Sequence, residues 1–317
     1  MQFIKKWYTY QKERFPILTY GIYILAIVIA TFAICNSVST EIEKNILINS
    51  PYSYLVEKTT QTIPWIKIIP MYIVTFLQFL MVRIIDEFKD YEEDCKYRPY
   101  RPVPRGLIAL KELKVLFIIC AVLQFGITYL VEPIAIVYLI FVWIFFAIMS
   151  KSFFMKKFLS KHILIEVILD ELMLPILVIF LSKFITYTDI TSSFNQHLKA
   201  IDILPFLILT YVISCIVEIA RKVRCKEDEE EGVKTYTAVL GIKKTILLLS
   251  FLETIVLGLQ IVLLGKQYLI FMIGLLVLVG LINFVFVIKK NKLFAKLTEL
   301  SANIYILITY FSLLMLI

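Results

Sequence analysis

Histidine is almost missing from this chain: two in 317 residues, His162 and His197. That leaves too little for a histidine-built zinc centre or a serine–histidine relay, and His162 reads as an interfacial residue. Cysteine is sparse and scattered. Cys35, Cys95, Cys120, Cys215 and Cys225 form no CxxC or other metal spacing. Charge is scarce too, at 18% of residues against 60% hydrophobic, with a mean hydropathy of +0.85. Those proportions exclude an ordinary soluble domain.

What the chain does have is long apolar runs. Nine are long enough for a bilayer, which takes about 20 apolar residues per span. Their cores fall near 16–35, 63–85, 113–131, 133–150, 163–183, 201–220, 244–264, 268–288 and 299–317. The expected fold is an all-α membrane protein, a nine-transmembrane-helix bundle forming a single domain over 1–317. The first run follows Lys5, Lys6, Lys12 and Arg14 but is too long for a signal core, and no clean cleavage site follows it, so it reads as a retained helix. The net charge of +8 tracks topology rather than nucleic acid, so the expected partner is the lipid bilayer. Lys and Arg collect in the tail 1–15 and in 89–114, 151–161, 221–244 and 289–296. By the positive-inside rule these are cytoplasmic, with the N-terminus inside and the C-terminus outside. Cys95 and Cys225 then lie in cytoplasmic loops, where disulfides are not expected.

The chemistry concentrates where the second run ends. Asp86, Asp90 and Asp94 are spaced four apart, with Glu87 beside the first and Arg98, Arg101 and Arg105 downstream. On a continuous helix this spacing stacks the three aspartates on one face. Carboxylates followed at once by arginines suit a polyanion held through a divalent cation, above all a diphosphate with magnesium. The plainer alternative is a solvated, mixed-charge membrane flank. Pro99, Pro102 and Pro104 break helicity, Gly106 allows a tight turn, and arginine's planar fork takes two phosphate oxygens at once.

Inside the fifth run sit Glu166, Asp170 and Glu171. A charge at the bilayer centre costs about 2.5–3.5 kcal/mol on insertion scales, so these acids are expected to face the bundle interior. They would form a polar wall of an acceptor pocket, a base, or a structural network. Pro175 is expected to kink this helix. A second charged loop follows the sixth run. It opens with Glu218, Arg221, Lys222 and Arg224 and continues through an acidic stretch, 227–231, that reads mostly as solvated face. Arg221 and Lys222 also have the spacing to pair with Glu218 along the helix. The two charged loops recur at matching places in two four-helix halves, which favours a central cavity between the halves, opening to the cytoplasmic side. Glu253 and Asn283 are exceptions in otherwise apolar C-terminal helices and read as wall.

The first charged stretch resembles the first aspartate-rich motif of UbiA-type intramembrane prenyltransferases, Asn-Asp-x-x-Asp-x-x-x-Asp followed by Arg-Pro-x-x-x-Gly. Asp86 stands at the asparagine, Glu87 at the first aspartate, and Asp90 and Asp94 at the other two; Arg101 to Gly106 match the tail. The second loop resembles the family's second motif less closely. Counting back from Gly232, Asp228 falls on its last aspartate, while Arg221 and Arg224 occupy the two earlier ones. The resemblance implies a magnesium-dependent transferase of isoprenoid biosynthesis in the cell membrane. It would move an isoprenyl group from an isoprenyl diphosphate to a lipophilic acceptor (aromatic, quinone or lipid-like). It also implies metal ligands among Asp86, Glu87, Asp90, Asp94 and Asp228, and diphosphate contacts from Arg98, Arg101, Lys156, Lys157, Arg221 and Arg224. Asp90, Asp94, Arg101 and Glu218 would carry catalysis, and Glu166, Asp170 and Glu171 would face the acceptor. A terpene cyclase acting on the same diphosphate without an acceptor is the nearest alternative. A transporter using the fifth-run acids as an ion relay is the alternative of another class.

Overall fold

The computed structural model describes residues 2–48, 67–186 and 203–316. The polar stretches 36–62 and 184–200 between apolar runs, with His197, fall largely outside them. Among the described residues the regular structure is helical, with no strand. Short α1 (Gln2–Arg14) precedes Pro16, and α2 (Ile17–Ile48) starts directly after that proline. The chain continues through α3 (Ile68–Lys89), α4 (Tyr91–Tyr97), α5 (Leu110–Val131), α6 (Ile136–Ser150) and α7 (Lys156–Leu159). Next come α8 (Ile163–Asp170), α9 (Met173–Thr186) and α10 (Leu204–Arg221). The described chain closes with α11 (Tyr236–Leu240), α12 (Ile242–Leu264), α13 (Leu269–Lys289) and α14 (Lys292–Ser312).

Eight of these segments are long and apolar enough to cross a membrane. The fifth expected run is divided instead, into α8 and α9. The break lies at Glu171 and Leu172, four residues before the proline that sequence alone marks as the kink. A proline ring collides with the carbonyl of the residue four positions earlier and offers that carbonyl no N–H. For Pro175 that residue is Glu171. Its carbonyl takes the amide of Leu174 at 3.3 Å and the hydroxyl of Ser214 on α10 at 3.3 Å. The Tyr211 hydroxyl, also on α10, donates to the Ile168 carbonyl at 3.0 Å. Side chains of a neighbouring helix thus satisfy backbone that lipid could not.

The helices pack neighbour to neighbour in a circuit, α2–α3–α5–α6–α9–α10–α12–α13–α14 and back to α2. Helix α10 is buried along most of its length, whereas α5 buries a single stripe, Leu113, Cys120, Gln124 and Thr128. A helix apolar all round with one narrow packed seam is suited to lipid on its other sides. Gln124 spends its polarity within the bundle: it accepts from Trp143 Nε1 at 2.9 Å and donates to the Val74 carbonyl at 3.4 Å.

The basic segments meet at one end. Glu13 of α1 pairs with Arg105 at 2.9 Å, Arg98 with Glu230 at 3.2 Å, and Lys292 with Asp228 at 2.5 Å. Lys234 reaches the carbonyl of Ser160. At the opposite end Lys67, at the start of α3, lies 3.8 Å from Glu132 and donates to the Phe184 carbonyl at 3.1 Å.

Candidate active site

The first acidic motif does not stay on one helical face. The helix breaks at Asp90 (φ −97°, ψ 1°), where α3 ends and α4 begins. Hydrogen bonds from the Asp90 amide to the Asp86 carbonyl and from the Asp94 amide to the Asp90 carbonyl still bridge the break. The acids divide into two groups. Glu87 and Asp94, two turns apart, turn into a nest of arginines. Arg14 Nε lies 2.5 Å from Glu87 Oε1 and Arg83 Nη2 lies 3.1 Å from it. Asp94 Oδ2 takes Arg101 Nη1 at 2.5 Å, with Arg98 at 3.8 Å and Arg14 at 3.9 Å. Both acids are buried, so these guanidinium groups are what make their ionised forms tolerable. Burial and the neighbouring Arg14 in turn hold the Arg101 guanidinium below its usual range.

Asp86 and Asp90 form the other group. Asp86 keeps 35% of its side chain accessible, with Arg83 only grazing it at 3.5 Å. Across the bundle it feels Arg221 and Glu218. Burial, and then the charge of Asp86 beside it, push the Asp90 carboxyl up to about 7. Opposite, at the end of α10, Glu218 grips both Arg221 and Lys222, the lysine at 2.6 Å. The fifth-run acids form a third side. Lys89 Nζ, one residue before Asp90, lies 3.1 Å from Asp170 and 3.7 Å from Glu166. Glu171 feels both Glu218 and Asp170. The aspartate motif, the second-loop cations and the fifth-run acids therefore face one another.

Lys222 also lines a vestibule of about 390 Å³. Its cations are Arg14, Arg98, Arg101, Lys222, Arg224 and Lys234, and its acids are Glu13, Asp228 and Glu230. Its walls are the end of α1 and the two charged loops, which are locked together. Tyr100 and Arg98 bond Glu230, and the Tyr97 ring rests against Gly232, whose φ of +76° needs glycine. The second loop has its own brace. Glu229 accepts from Thr235 at 2.7 Å and Thr237 at 2.8 Å, and Thr237 Oγ1 receives the Arg224 amide at 3.0 Å. Lys156 and Lys157 are exposed on short α7, away from this lining. Asp228 is engaged by Lys292, whose hydrogen bond holds its carboxyl below the usual range.

A magnesium ion is typically held by one or two carboxylates plus substrate phosphate oxygens and water. Asp86 and Asp90 fit that set. The mutual charge burden on Asp90 is what an intervening cation relieves. Glu87, Asp94 and Asp228 fit it poorly, because each already carries a cationic partner. Among the described residues no three acid, histidine or cysteine side chains gather as a ready-made metal cage. Sequence reading passed over Arg14 and Lys89. Each sits where a membrane-flanking cation is ordinary, and nothing in the pattern separated it from the other basic residues.

Among curated proteins none matches the chain. Two solved structures share its fold. One, described as giving structural and mechanistic insights into digeranylgeranylglyceryl phosphate synthase in membranes, aligns with a TM-score of 0.52 at 17% identity. That alignment covers 94% of this chain and 99% of the other. The second, the apo structure of a UbiA homolog from Aeropyrum pernix K1, has a TM-score of 0.57 at 11% identity and covers 92% and 96%. The profile of the UbiA prenyltransferase family matches residues 53–305, a span that holds both charged motifs and every described membrane-length helix except α2 and the end of α14, and the chain belongs to that family.

Proposed function

We propose that this protein transfers an isoprenyl group from an isoprenyl diphosphate to a lipophilic acceptor within the membrane, with magnesium bound at Asp86 and Asp90. The observation that carries the reading is that Asp86, with Asp90 beside it, lies within electrostatic reach of the Arg221–Glu218 pair on α10, at the end where the basic loops meet. On this reading that end is cytoplasmic. The chain crosses nine times, with α8 and α9 together making a broken fifth crossing. The N-terminus lies inside the cell and the C-terminus outside. The likeness to the digeranylgeranylglyceryl phosphate synthase structure supports a transferase that works in membranes.

The roles follow from the chemistry present. Asp86 and Asp90 supply paired carboxylate oxygens. Bound magnesium adds positive charge against the leaving diphosphate. Arg221 and Lys222 neutralise the opposite side of that anion, and Glu218, gripping both, fixes their positions. Arg98, Arg101 and Arg224 present further donors at the vestibule. Asp94 orients Arg101 rather than meeting substrate directly. Asp170, Glu166 and Glu171 line the acceptor side, the first two steadied by Lys89. The surrounding apolar helices shield a developing allylic cation from water.

Purified protein in lipid, given magnesium and isoprenyl diphosphates of several chain lengths, tests this. Pyrophosphate release and a prenylated product in the mass spectrum are expected, both lost in Asp90→Ala. A cyclic hydrocarbon as the sole product transfers the assignment to a cyclase. No pyrophosphate release with any chain length overturns the reading.

A further inference from the structure

The family match begins at residue 53, yet the segment before it reaches into the site. Helix α1 lies across both arms of the broken aspartate motif. Trp7 and Tyr10 pack with Ile84 at the end of α3 and with Val103 and Ile108 beyond α4. Lys6 pairs with Glu112 on α5, and Glu13 with Arg105. The last residue of the helix, Arg14, is nine-tenths buried: 10% of its side chain is accessible. Its Nε holds Glu87 on one arm at 2.5 Å, and its Nη2 lies 3.9 Å from Asp94 on the other. That Nη2 is buried with no hydrogen-bond partner, although the residue lines the basic vestibule.

A buried guanidinium with one edge satisfied and one edge idle is costly unless something fills the idle edge. The vestibule it lines carries six cations against three acids, so the filler is an anion. Its planar fork suits phosphate oxygens. We infer that Arg14 is part of the substrate site: it positions Glu87 and Asp94 across the helix break and donates its free Nη2 edge to the phosphate head of the bound substrate. The inference rests on the transferase reading above and extends the site to a helix that precedes the family region. Through Asp94 the same residue also fixes Arg101, so α1 acts as a clamp on the motif as well as a contributor to it.

Inorganic pyrophosphate, titrated calorimetrically into the purified full chain in lipid nanodiscs with magnesium, is the probe. Arg14→Gln is expected to weaken pyrophosphate binding at least tenfold and to raise KM for the isoprenyl diphosphate more than it lowers kcat. Arg14→Lys, which keeps the charge, recovers part of the affinity. Lys6→Ala loosens the α1 tie to α5 without touching Arg14 and leaves affinity within twofold. Wild-type affinity in Arg14→Gln, with the unaltered chain binding and turning over normally, overturns the inference alone. Equal loss in Lys6→Ala also overturns it, since α1 would then act only as a strap. Failure of the unaltered chain to bind pyrophosphate overturns this inference and the transferase reading together.

Discussion

The ring of Tyr97, from the first charged loop, occupies the space in which a side chain at Gly232, from the second, would begin. A Cβ there would come within 2.2 Å of Tyr97 Cε1. The two motifs, 135 positions apart in the sequence, are therefore in register only because one of them ends in a glycine. Arg98 and Tyr100 complete the contact through Glu230.

Gly232→Ala pushes the loops apart. The backbone adds to the cost, because φ +76° disfavours any residue with a Cβ by about 1 kcal/mol. Pyrophosphate release is expected to fall at least tenfold. The double variant Tyr97→Ala with Gly232→Ala relieves the collision but not the backbone strain, so it recovers only part of the rate. Steady-state kinetics of the two variants side by side measure the split.

Lys89 carries the acids of α8. Lys89→Met leaves Asp170 and Glu166 facing each other without a cation. The expected loss is about 2 kcal/mol, less than a fully buried pair because both acids retain some water. Thermal unfolding in detergent reports it, and Lys89→Arg is expected to stay near the wild-type midpoint.

Asp86→Ala and Asp90→Ala are each expected to abolish pyrophosphate release while leaving helical content intact. Lys156→Ala with Lys157→Ala is expected to cost less than threefold, since both lysines point into solvent away from the vestibule. Rates with magnesium present and after chelation, alongside circular dichroism of each variant, separate lost chemistry from lost fold. A silent Asp86→Ala would remove the carboxylate pair from the mechanism.

Glu253 is fully buried on α12, accepts from Asn283 at 2.9 Å, and lies beside the Tyr305 hydroxyl, which bonds its backbone carbonyl at 3.1 Å. Among the described residues the hydrogen bonds of this cluster stay within α12, α13 and α14. Glu253→Gln keeps the shape and the hydrogen-bonding capacity, so stability and turnover should both stay within error. Glu253→Leu strands the Asn283 amide and costs about 1–3 kcal/mol. A large fall in turnover with Glu253→Gln would give this carboxyl a part in the chemistry.

Pro175→Ala removes the reason for the break between α8 and α9. The Glu171 carbonyl regains a helical donor, the segment straightens, and the acids of α8 shift against α10. Stability is expected to hold or rise slightly as turnover falls. A cysteine pair spanning the break, read by spin-label distance, measures the change in bend.

The sequence alone was enough for the class of molecule. Apolar runs of membrane length and basic loops alternating with bare ones follow from the thickness and charge asymmetry of a bilayer, and both are one-dimensional properties. The cluster of acids and arginines after the second run was legible for the same reason: its residues are neighbours in the chain. What a given acid does was not legible. Asp86, Glu87, Asp90 and Asp94 look equivalent in the string, yet about the break at Asp90 arginines grip Glu87 and Asp94 at 2.5 Å while Asp86 meets Arg83 only at 3.5 Å. One of those arginines comes from residue 14. The fifth run reads as one helix by hydropathy; only a proline against the carbonyl four residues back, with hydroxyls on α10 ready to receive it, divides it. Ion pairs between distant segments depend on which helix ends meet, and packing in three dimensions decided that.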